Sequence, residues 1–152
     1  MNIRIKHLIL GAVAVSSIGL TFAAEPKPEE DVRFRQSAFN VIGRNFAQLG
    51  AIAKGERPYD QAFAVKTATL LEILAAQPFT AFGPGTDVST HKADPKVWSD
   101  AAKFKDAAEK FQFEIAKLST AAKDLDTLKL QVGAVGKTCK GCHDEFRVKD
   151  KK

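Results

Sequence analysis

The strongest constraint on this chain is an apolar stripe near its end. Leu125, Leu128, Val132, Val135, Cys139, Cys142 and Phe146 recur at alternating spacings of three and four, which is one face of a helix. A helix must bury such a stripe, and both cysteines lie on it. Whatever the thiols carry is therefore buried too. The stretch Cys139-Lys140-Gly141-Cys142-His143 reads C-x-x-C-H, the pattern of c-type haem attachment. The two thiols share one helical turn and can add to the two vinyl groups of a single porphyrin, while the next residue offers an imidazole to its iron. A zinc site would want further thiol or imidazole donors, and these are the only two cysteines. A thioredoxin-like dithiol centre would want strands alternating with helices, a pattern this chain lacks. Gly133, Gly136 and Gly141 each weaken the helix by about 1 kcal/mol relative to alanine, and are expected to make room for a flat macrocycle.

Three more amphipathic segments precede this one. Pro26, Pro28 and the acidic run Glu29-Glu30-Asp31 announce a helix start. The stripe that follows is Val32, Arg35, Phe39, Ile42, Phe46, Leu49 and Ala53, ended by Gly55 and Pro58. Arg35 is a charged residue on that inward face. A second stripe runs Phe63, Thr67, Leu70, Leu74 and Gln77, widened by Leu71 and Ile73 and stopped by Pro78. Asp94-Pro95 reads as an N-cap followed by proline at the first helical position, opening a third stripe of Val97, Ala101, Phe104, Ala108, Phe111, Ile115 and Leu118. The connection between the second and third segments is long for a bundle. Its first part is apolar and turn-rich and should pack on the body, whereas residues 86–93 are polar and expected to be mobile. The fold class is all-α, an antiparallel four-helix bundle with a covalently attached haem.

Residues 1–23 read as a cleavable secretory signal: Arg4 and Lys6, an apolar run over residues 8–20, then Thr21-Phe22-Ala23. Residues 24–152 form the bundle domain, with a periplasmic location and no stable membrane span. The net charge of +5 falls once Arg4 and Lys6 leave, and the remaining excess sits in Lys149, Lys151 and Lys152. A basic terminus of that size points to a solvated helix end and not to nucleic acid. The iron's second axial position is constrained by composition. Met1 is the only methionine, so methionine ligation is excluded in the mature chain. His91 and His143 are the only histidines beyond the leader, and His91 falls in the polar loop.

The export signal, the four-helix pattern and the C-x-x-C-H near the C-terminus resemble the cytochrome c′ family, the high-spin class II c-type cytochromes. More specific matches are Arg35-Gln36-Ser37-Ala38, Lys54-Gly55, Pro58-Tyr59-Asp60, Phe82-Gly83-Pro84-Gly85-Thr86, Trp98-Ser99-Asp100 and Cys142-His143-Asp144-Glu145-Phe146-Arg147. The resemblance implies one covalent haem c, with Cys139 and Cys142 as thioether positions and His143 as axial iron ligand. It implies that Arg35 and Gln36 lie beside the propionates. An inward arginine needs a buried anion, and the competing reading is a side chain that snorkels to the rim. Phe39 matches the apolar distal position, and Arg147, four residues after His143, matches a proximal arginine one turn further on the same face. Five-coordinate iron capped by Phe39 would bind nitric oxide and carbon monoxide, with a role in nitric oxide binding and protection. The alternative is an electron carrier with periplasmic redox partners. No distal acid–base pair is visible on the inward faces, so an enzyme is not expected. The resemblance also implies a homodimer, for which Val41, Ala47 and Ala51 lie off the main stripe.

Overall fold

The computed structural model describes residues 27–88 and 92–149. The leader assigned to residues 1–23 lies outside these, as does His91. Helix α1 spans Pro28–Ala53. Proline at its first position needs no N–H partner, and the carboxylate of Glu30 accepts the backbone N–H of Lys27 at 3.4 Å. The helix stops at Gly55, whose φ of +77° is left-handed. There the N–H of Gly55 reaches the carbonyl of Ile52, and that of Glu56 reaches Ala51, satisfying carbonyls that the helix end would strand.

Helix α2 spans Gln61–Leu74 and is capped by Asp60, whose carboxylate accepts the N–H of Phe63 at 2.8 Å. The chain then makes a tight 3₁₀ turn over Gln77–Ala81, with Pro78 and Ala81 buried against α1. A single turn, α3, covers Lys96–Ser99; α4 follows over Ala101–Ile115, α5 over Leu118–Ala121 and α6 over Leu125–Phe146. The long helices α1, α2, α4 and α6 form the antiparallel four-helix bundle. Short ties hold the turns in place. Tyr59 donates its hydroxyl to the Ala122 carbonyl at 2.9 Å, and Glu72 accepts the N–H of Ser119 at 2.7 Å.

The two ends of the bundle differ in chemistry. Leu49, Ile52, Leu71, Ile115, Leu118, Leu128 and Val135 are fully buried and make one half aliphatic. The other half, where the start of α1 meets the end of α6, is aromatic and houses a cavity.

Three local expectations are corrected. The inward face of α2 is Ala64, Thr67, Ala68 and Leu71, whereas Leu70 and Ile73 face outward, Ile73 at 65 % exposure. Three small residues on that face let α2 approach its neighbours closely, and the larger side chains had suggested a face rotated from it. The third helix is interrupted: Asp100 leaves helical geometry at φ −127°, ψ 56°, and its carboxylate takes the N–H of Lys103 to start α4 afresh. Asp94 still accepts the N–H of Lys96 at 3.0 Å, but Ala101 is exposed. The polar loop is anchored on both sides. Thr86 is buried, and the N–H groups of Asp94 and Val148 reach the carbonyls of Phe146 and Lys92, an antiparallel clasp over the end of α6. Gly133 and Gly141 are exposed, and a Cβ on any of the three α6 glycines would touch no other part of the chain, so no protein neighbour requires a glycine there.

Candidate haem site

A cavity of about 690 Å³ opens at the aromatic end of the bundle. Arg35, Gln36, Phe39, Cys139, Cys142, His143 and Arg147 all line it, so the structure brings every sequence-identified site residue together. α1 and α6 lie against one another, and each presents its stripe to this space.

The thiols of Cys139 and Cys142 are unpaired and half-buried. Burial raises both above the usual thiol range, and Cys142 is pushed up to about 11 by burial with added repulsion from Cys139 and Glu145. They are neutral S–H groups at neutral pH, poor disulfide-exchange nucleophiles. Partial burial, helped by the positive charge of Arg147 and opposed by Asp144, lowers the basicity of His143. Its imidazole therefore stays neutral, with a nitrogen lone pair free for a metal. Among the described residues no group of three or more His, Cys, Asp and Glu side chains converges to hold a metal ion.

Arg35 is 2 % exposed. Its guanidinium donates to the carbonyls of Ala81 at 2.7 Å and Thr86 at 2.8 Å, and lies 4.4 Å over the Phe82 ring. Burial lowers its pKa, with Asp31 one turn back opposing the shift. Backbone carbonyls thus supply partners that the sequence had sought in an anion. Snorkelling to the rim is ruled out by its burial. Arg147 departs from expectation in another way. α6 ends at Phe146, and Arg147 is extended at φ −119°, ψ 129°, in the bridge with Ala93. It reaches the cavity from the clasp, not from the next turn of the helix.

Phe39 stands with its edge to Phe79 at 5.6 Å and to Phe82 at 6.5 Å between ring centroids. Phe79, Phe82, Phe104, Phe111 and Phe146 complete the aromatic lining. Arg44 and Lys92 are further lining residues that sequence reasoning missed. A signal existed for the first of them: Gln36, Asn40 and Arg44 recur every four residues beside the apolar stripe, which marks a polar rim.

The donor set fits a haem. Aromatic walls suit the flat apolar macrocycle, and the cavity is lined by Arg35, Arg44, Lys92 and Arg147 but by no carboxylate among the described residues, which suits two anionic propionates. Two adjacent thiols and an imidazole stand on one wall. Fold and site together define a c-type haem protein built on a four-helix bundle. The family model for cytochrome C′ matches residues 30–147. Cytochrome c′ from Rubrivivax gelatinosus is 45 % identical over 81 % of this chain and 98 % of its own length. A nitric oxide complex of a mutant cytochrome c′ from Alcaligenes xylosoxidans superposes with a TM-score of 0.78 at 44 % identity, covering 83 % of this chain and all of that one. A carbon monoxide-bound variant from the same organism gives 0.77 at 45 % identity, covering 81 % of this chain and 98 % of that one. This chain belongs to the cytochrome c′ family, and it carries one covalently attached c-type haem.

Proposed function

We propose that this protein is a periplasmic gas-binding haem protein that takes up nitric oxide and carbon monoxide and protects against nitric oxide. The carrying observation is the apolar wall around Phe39, which offers neither a ligand to iron nor a hydrogen bond to a bound gas. The haem, when bound, would supply an iron able to take up diatomic gases. Everything else is the work of the chain. Cys139 and Cys142 would hold the haem as thioethers, each S–H adding across one vinyl group with no oxidant consumed. His143 would hold the iron through its imidazole, kept neutral by its surroundings. Phe39 would crowd the gas-binding side, so that small ligands alone are admitted. Dioxygen, which gains most from a distal hydrogen bond, is disfavoured. Arg147 sets a positive charge beside the imidazole. Gln36 and Arg35 would hold the propionates, Arg35 while also holding the wall behind Phe82.

The relatives crystallised with nitric oxide and carbon monoxide support this reading. The sequence pattern over residues 1–23, basic and then apolar, supports export. Among the described residues no helix is long and apolar enough to cross a membrane. The test is an absorption spectrum of the reduced haem protein with and without each gas. A high-spin spectrum that shifts on gas addition is expected; a low-spin spectrum indifferent to gas would overturn the proposal. A second reading, electron transfer with an anionic periplasmic partner, is favoured by the exposed cations Arg44, Lys92 and Arg147 around the cavity. Val41, at 45 % exposure on α1, is open for the homodimer that the family resemblance suggests.

A further inference from the structure

A second hollow, of about 570 Å³, lies on the outer side of the aromatic wall. It exists because of two breaks in the chain. The helix interruption at Asp100 sets Trp98 apart from Ala101, and the loop through Gly85, at φ +78°, closes the far side. Phe79, Phe82, Val97 and Phe104 line both this hollow and the haem cavity, so the partition between the two is one side chain thick. Its three rings form a triangle, with centroids 4.9 Å apart for Phe82 and Phe104, 6.0 Å for Phe79 and Phe104 and 6.5 Å for Phe79 and Phe82.

We propose that this hollow is an entry site for apolar diatomic gases, which pass between the rings of Phe79, Phe82 and Phe104 to reach the haem. The inference rests on the gas-binding reading. Three observations carry it. Aromatic and apolar side chains make up most of the hollow's wall, with Asp87 its one charged lining residue, and such a surface favours small apolar solutes. The partition is made of side chains alone, three rings with centroids 4.9–6.5 Å apart, so side-chain motion can open a transient gap between them. Phe79 also touches Phe39, so a gas crossing the partition arrives at the side of the haem where the iron is open. The main opening of the haem cavity, by contrast, carries exposed Arg44, Lys92 and Arg147, a polar rim suited to propionates. Gas and propionates then use different faces of one site.

Ala101 is exposed and lines the hollow without lining the haem cavity, so it offers a plug that leaves the haem surroundings intact. In haem-loaded Ala101→Trp, carbon monoxide association and dissociation should both slow several-fold, by the same factor. The equilibrium constant should not move, because a passage alters both directions equally. Crystals of the wild type under xenon pressure should show xenon in the hollow, and Ala101→Trp should lose it. Carbon monoxide rates unchanged in Ala101→Trp, an altered equilibrium constant with only one rate changed, or a wild-type hollow empty of xenon would overturn the passage while leaving gas binding in place. A wild-type haem that binds no carbon monoxide would remove both the passage and the reading beneath it.

Discussion

Arg35 lies over Phe82 at 4.4 Å and fastens the loop on either side of that ring through the carbonyls of Ala81 and Thr86. One buried side chain thus holds the 3₁₀ turn and the following loop against α1, and with them part of the aromatic wall. Replacement by glutamine removes the stacking and both charge-assisted bonds, and strands two carbonyls. Arg35→Gln should cost about 3 kcal/mol of stability in urea unfolding followed by circular dichroism. A loss near zero would mean that the loop holds itself.

Phe39 lies edge-on to the rings of Phe79 and Phe82, and in the proposed reading it crowds the gas-binding side of the iron. Trimming it should relieve the crowding that a bound gas must overcome. Phe39→Ala is expected to raise carbon monoxide affinity about tenfold, or about 1.4 kcal/mol. Gas titration of the reduced protein reads this directly, and an unchanged affinity would remove Phe39 as a gate.

Leu128 is fully buried in the aliphatic half of α6, far along the helix from the thiols. Leu128→Ala should destabilise the protein by about 2–5 kcal/mol through lost burial and a residual void. Its gas-bound absorption spectrum should match the wild type. A shifted spectrum would show that the two halves are coupled more tightly than their packing indicates.

Asp124 caps α6, accepting the N–H groups of Asp126 at 3.0 Å and Thr127 at 2.9 Å. The Thr127 N–H foremost holds its carboxyl below the usual range, with partial burial opposing and the Thr127 hydroxyl and Asp126 N–H adding to the fall. A depressed folded-state pKa gives stability that is complete above the ordinary aspartate pKa and is lost as pH falls through the lower, folded value. Asparagine caps without titrating. Melting temperature against pH should therefore fall less steeply on the acid side in Asp124→Asn; identical acid limbs would rule out this carboxylate as a contributor.

Much of this arrangement is legible in the sequence because it is periodic. Val32, Arg35, Ile42 and Leu49 are buried where the α1 stripe puts them, and Leu128, Val135 and Phe146 where the α6 stripe puts them. The motif from Cys139 to His143 needs no fold to be read. What escaped depends on contacts between distant segments. Periodicity marks Arg35 as inward, but its partners are carbonyls 46 and 51 residues away. The register of α2 was obscured because its buried face is made of Ala64, Thr67 and Ala68, while larger apolar side chains point outward. Arg147 was placed by helical spacing, yet the pairing of residues 92–94 with 146–148 ends the helix one residue before it.

The separation of an aliphatic half from an aromatic half bears on the order of assembly. Leu49, Leu71, Ile115 and Leu128 satisfy one another without any cofactor, and the ties of Tyr59 to Ala122 and Glu72 to Ser119 lie among the same turns. That end can form before the haem is in place and set the root of α6, while the far end of the helix, held by the pairing of residues 92–94 with 146–148, carries Cys139, Cys142 and His143. The scaffold then closes like a hand around what it has been given, and the haem completes a fold that it did not have to begin.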